Sequence, residues 1–161
     1  MIEKHPEVQV YYLITSDSAD YHKVAEHAVI YGSTENYRVV AKAEKIISTH
    51  CYTALSGIPE KVWHMLKIED RFYFLQHGII QGKLTFLFGK RSHMKLFCCT
   101  AVPEYKYIKE NYGHPEGVVQ CTGLARYDYL LSFEDKKQIL IMPTWRRYLK
   151  SKEIFWESEY F

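Results

Sequence analysis

The sequence predicts an α/β protein built on a mainly parallel sheet with helices on both faces. Two observations carry that expectation. Seven short apolar runs, rich in β-branched and aromatic residues, alternate with stretches of helical patterning. The runs are nearly continuous in apolar character, as strands are when a parallel sheet buries both of their faces.

The elements follow in order. VQVYYLIT (8–15) is the first strand, and SADYHKVAEH the first helical stretch. AVIYG (28–32) leads into STENYRVVAKAE, where Ser33 or Thr34 suits the N-cap and Glu35 the first turn. KIIST (45–49) precedes PEKVWHMLK. RFYFLQ (71–76) precedes GKLTFLFGKRS, read as a helix from about Gly82. LFCCT (96–100) precedes PEYKYIKENYG, which Pro103 and Glu104 open and Gly113 closes. VVQCT (118–122) precedes ARYDYLLSFED, and QILIMP (138–143) is a last strand with few residues after it. GHPEGV (113–118) is a turn, and the charged FEDKKQ marks the domain boundary.

Composition narrows the function classes. A chain of 161 residues that is 47% hydrophobic and 25% charged folds around a real core rather than staying disordered. A net charge of +2 gives no argument for nucleic-acid binding, which would need a concentrated basic patch, so nucleic acid is not an expected partner. No stretch approaches the roughly 20 apolar residues of a membrane span, and MIEKHPEVQV has no apolar core of a signal peptide. A cytoplasmic location is the default expectation. Cys51, Cys98, Cys99 and Cys121 read as small core thiols. A zinc site from His50, Cys51 and Cys121 matches no known ligand spacing. No metal motif is visible, and no cofactor is expected.

Open α/β sheets bind ligands outside the carboxyl ends of their strands. After KIIS come Thr49 and His50; after FYFL come Gln76, His77 and Gly78; after LFCC comes Thr100. After VVQC come Thr122, Gly123, Arg126 and Asp128; after ILIM come Thr144 and Arg146. Such a rim suits anionic-ligand chemistry. Arginines neutralise phosphate oxygens, a histidine takes a proton from an attacking hydroxyl, and glycine lets the backbone approach the ligand. The residues leave two readings of His77 open, a catalytic base or a ring that hydrogen-bonds a neighbouring loop. They likewise leave Arg126 and Arg146 either as ligand contacts or as structural partners of Asp128 or Glu157.

Three segments carry a resemblance. FLQHGIIQGK, PEYKYIKENYGHPEGVVQCTGLARYDYL and KKQILIMPTWRRYL resemble the CDP-glycerol glycerophosphotransferase family, densely over residues 71–149. QHG stands at the family's His-Gly motif, GLARYD at its Gly-x-x-Arg-x-Asp motif, and PTWR at its Pro-Thr-Trp/Phe-Arg strand end. The resemblance implies one Rossmann-like half of a GT-B fold, with residues 1–135 as the N-terminal, acceptor-side domain. Residues 136–161 would then be the first strand and helix of a C-terminal nucleotide-binding domain. It further implies His77 as general base, with Gly78, Arg126, Asp128, Thr144 and Arg146 binding substrate. The implied reaction moves glycerol phosphate from CDP-glycerol, or a similar nucleotide donor, to a hydroxyl of a polyol-phosphate or glycan acceptor at the inner face of the cell membrane. The family often writes Trp-His-Gly-Thr-Pro where this chain has Gln-His-Gly-Ile-Ile, and its later His-Ser-Asp type motif has no counterpart here. The alternative is a non-catalytic binding domain that keeps the fold without the donor site. Self-association through the apolar 138–161 tail is also expected.

Overall fold

Each apolar run that the structure describes forms a short parallel strand. In this computed structural model the described residues are 4–51, 58–134, 136–139 and 141. The chain divides into two units, 1–130 and 131–161. In the first, β1 (Tyr12–Ile14) pairs in parallel with β2 (Ala28–Ile30). A second sheet holds β3 (Ile46–Ser48), β4 (Phe72–Phe74), β5 (Leu96–Cys99) and β6 (Val119–Cys121), paired in that order and all parallel. All four carboxyl ends therefore open on one rim. In the second unit the described residues, 131–134, 136–139 and 141, form no helix or strand. The expected strand 138–143 lies largely outside the described residues, as does the helix expected after it.

The continuous apolar reading has its cause in burial on both faces. Phe97, Cys98 and Cys99 are successive residues of β5, and none is more than 5% exposed. Phe74 and Phe97 meet edge to face at 5.1 Å across neighbouring strands. Burying a side chain such as Phe97 stabilises the fold by roughly 1.5–3 kcal/mol. Cys99 is inert, because burial pushes its thiol up to about 12. Cys98 is buried too, but Cys51 is half-buried and Cys121 exposed, so the expectation of core thiols holds for the β5 pair and not for Cys121. Cys121 ends β6, at the edge of its sheet.

The helices are α1 (Tyr21–Val24), α2 (Thr34–Lys42), α3 (Glu60–Met65), α4 (Val102–Asn111) and α5 (Ala125–Leu130). Ser33 caps α2 as expected, its hydroxyl accepting from the Asn36 N–H at 3.1 Å. Pro103 sits in the first turn of α4, and Gly113, at φ +67°, follows its last residues. Arg71 ties two helix ends together. Its guanidinium donates to the Ala41 and Ala43 carbonyls at the end of α2 and to the Leu66 carbonyl after α3.

The helix expected over GKLTFLFGKRS is a correction. Only Thr85–Leu87 are helical, in a single turn of the tighter 3₁₀ type. Tyr112, just beyond α4, claims the backbone instead. The Tyr112 hydroxyl donates to the Gly82 carbonyl at 2.7 Å and accepts from the Leu84 N–H at 3.1 Å. The Gly89 N–H donates to the Tyr112 carbonyl at 2.8 Å. Gly89 must be glycine there, since a Cβ would stand 2.4 Å from the Gly113 carbonyl oxygen. Tertiary contacts thus override a helical pattern of modest local strength.

His114, packed edge-on against Phe97 at 5.3 Å, introduces a pH dependence. Burial lowers its pKa, and this outweighs the opposing bond between Nε2 and the Leu87 carbonyl, 2.8 Å long. Near pH 6.5 the unfolded chain takes up a proton that the folded ring resists, so the unfolded state binds more protons there and stability rises with pH. We expect stability to fall as pH drops below about 6.5. His114→Gln should flatten that part of the curve, measured by urea denaturation at pH values from about 7 down to 5.

Candidate functional site

The site is built on the ends of β3 and β4. Ladder pairing runs one residue past β4, because the Leu75 N–H donates to the Ser48 carbonyl at 2.8 Å. Gln76 then turns the chain in a left-handed conformation, φ +63°, where a side chain costs on the order of 1–2 kcal/mol. Something must hold it. Gln76 is buried, and its Nε2 donates to Glu104 Oε1 at 3.1 Å. That oxygen also accepts from the Ile80 N–H at 2.7 Å, while Oε2 accepts from the Thr100 N–H at 2.6 Å. Three donors converge on one carboxylate that is 4% exposed. Both oxygens act as acceptors, which suits the ionised form.

The reversal at Gln76 delivers His77 to the rim. The ring is exposed, with Nδ1 2.8 Å from the Thr49 carbonyl oxygen. A carbonyl only accepts, so Nδ1 carries the proton, and in the neutral ring this leaves the lone pair on Nε2. His50 stacks on this ring at 4.8 Å between centroids and 13° between planes. Beside the pair lies a cavity of about 460 Å³, walled by His50, His77 and Gly78 and by the apolar Ile80, Leu84 and Phe86. That volume lies within the usual range for small-molecule pockets, roughly 300–1,000 Å³.

The expected site residues are placed unequally. His77 and Gly78 lie together in this cavity wall, with His50. Arg126 and Asp128 stand exposed on α5, which follows β6, and β6 itself lies two strand spacings, about 10 Å, from β4. Among the described residues no ion pair joins them. Thr144 and Arg146 lie outside the described residues. His50 and Cys51 follow β3 whereas Cys121 ends β6, so three strand spacings, about 14 Å, separate groups that a zinc ion would need in one shell. Among the described residues no cluster of three or more His, Cys, Asp or Glu could hold a metal ion. Among them, too, no helix is long and apolar enough to cross a membrane.

Sequence reasoning saw Glu104 only as a helix opener. A signal for more was present. Glu104, Ile108 and Tyr112 are spaced i, i+4, i+8, and Ile108 and Tyr112 are core residues. An acid on the core-facing stripe of a helix needs partners, and the rim supplies them.

No family model matches this chain, and no solved structure matches it significantly. The minor teichoic acid biosynthesis protein GgaB of Bacillus subtilis (strain 168) is 32% identical over 152 residues, which cover 91% of this chain and 17% of that protein. The chain is thus a distant homologue of one segment of a teichoic acid biosynthesis protein, and it spans about a sixth of that protein's length.

Proposed function

We propose that this chain forms part of a glycerophosphotransferase of teichoic acid synthesis, moving glycerol phosphate from CDP-glycerol to a hydroxyl of a polyol-phosphate or glycan acceptor. The observation that carries the reading is the bond between His77 Nδ1 and the Thr49 carbonyl. With Nδ1–H bound to the Thr49 carbonyl, Nε2 is left as an acceptor beside an open cavity at the carboxyl rim of a parallel sheet. Similarity to a segment of GgaB, named for minor teichoic acid biosynthesis, supports the same pathway.

In this mechanism the acceptor hydroxyl attacks the phosphorus that bears glycerol. Its proton passes to His77 Nε2 as the new O–P bond forms. The bond from that phosphorus to the bridging oxygen breaks, and CMP leaves with the electron pair. Gly78 admits the donor's phosphates close to the backbone, Arg126 neutralises their oxygens, and Asp128 accepts from a ligand hydroxyl; Thr144 and Arg146 are proposed to bind substrate as well. Positioning and charge neutralisation supply most of the rate. The reaction takes place at the inner face of the cell membrane, where the acceptor grows.

The test uses the full-length protein with CDP-glycerol and a polyol-phosphate acceptor. CMP release coupled to acceptor extension is the expected result. Tight binding of the acceptor with no CMP released would instead make this a non-catalytic binding domain.

A further inference from the structure

We propose that Glu104 is a positioning residue for His77, holding the imidazole in its Nδ1–H form. The inference rests on the transferase reading for its kinetic consequence, but not for its structural one. Glu104 does not bond His77 and does not itself line the cavity; it acts through the loop that carries the ring, by accepting from Gln76 and Ile80 of the cavity wall.

The geometry is specific. Gln76 precedes His77 and is held left-handed; Ile80 follows it by three residues. Glu104 Oε1 takes a donor from each, so one oxygen grips the loop on both sides of the histidine. Oε2 fixes the same carboxylate to the Thr100 N–H at the end of β5. In a capping box an acid at this third helical position returns to the cap residue itself; here the cap is Ala101, and the carboxylate reaches one residue further back. The loop is thereby locked to the rim of the neighbouring strand. Only with the loop held there does His77 Nδ1 stay 2.8 Å from the Thr49 carbonyl. The group must be an acceptor at both oxygens, because all three partners are donors. A glutamine at 104 would aim an N–H₂ group at one of them.

The experiment records long-range ¹H–¹⁵N correlations of the His77 imidazole in wild type, in Glu104→Gln and in Gln76→Gly, with melting curves alongside. Wild type is expected to show the Nδ1–H form. Glu104→Gln should shift the ring toward the Nε2–H form that free side chains prefer, and in the full-length transferase should lower kcat by about 10–100-fold with KM for CDP-glycerol little changed. Gln76→Gly keeps the carboxylate and its two backbone donors, and glycine accepts the left-handed turn, so it reports on the loop even if Glu104→Gln fails to fold. It should shift the tautomer in the same direction. Retention of the wild-type tautomer in the folded variants overturns the inference. A wild-type protein that releases no CMP removes the transferase reading alone, and the tautomer shift then still decides the role of Glu104.

Discussion

Replacing His77 with alanine is expected to lower transfer from CDP-glycerol by about 10²–10⁴-fold in the full-length protein, the usual contribution of a general base. The same change should leave the melting temperature of this chain close to that of wild type. The ring is exposed and makes one hydrogen bond, to a backbone carbonyl, so its loss costs about 0.5–1.5 kcal/mol of stability. For a chain of this size that shifts the midpoint by roughly 1–6 °C. His77→Asn is the sharper variant, because it keeps a donor near Nδ1 and removes the acceptor at Nε2. If alanine costs several kcal/mol, the histidine belongs to the architecture of the rim and the catalytic reading of it is wrong. If both variants transfer at the wild-type rate, another group takes the proton.

Arg71→Ala is expected to be the most destabilising single change outside the apolar core, by about 3–5 kcal/mol, because each hydrogen bond from a charged donor contributes roughly 1.5–3 kcal/mol. Its guanidinium reaches the carbonyls of Ala41, Ala43 and Leu66, which are orphaned acceptors at or near helix C-termini. A cation there also meets the negative end of both helix dipoles. The fork matters as much as the charge. One nitrogen serves the end of α2 and the other the end of α3. Arg71→Lys supplies a single ammonium and should recover less than half of the loss. Arg71 immediately precedes β4, so loosening it disturbs the strand that carries His77 to the rim. Urea denaturation of the three proteins decides it, and a loss below about 1 kcal/mol for alanine would show that water satisfies these carbonyls equally well.

The sequence by itself determined the six described strands and the end of the strand on which His77 sits. Strand positions were legible because burial on both faces of a parallel sheet leaves a local mark: FYF and LFCC are apolar without alternation, and Phe72, Phe74, Phe97 and Cys99 are all buried. The cap at Ser33 and the glycine after α4 were legible for the same reason, since each acts within a few residues of itself. What only the tertiary structure decided was everything set by partners distant in the chain. The apolar spacing of GKLTFLFGKRS reads as a helix, yet Tyr112, 28 residues beyond Leu84, takes its backbone groups instead. The stacking of His50 on His77 exists because two neighbouring strands end side by side. Glu104 meets Gln76 across the same separation of 28 residues. No local periodicity encodes such a meeting. The alternation of strands and helices defines a rim, but which side chains share it, and in which protonation state, depends on contacts that exist only after the sheet has formed.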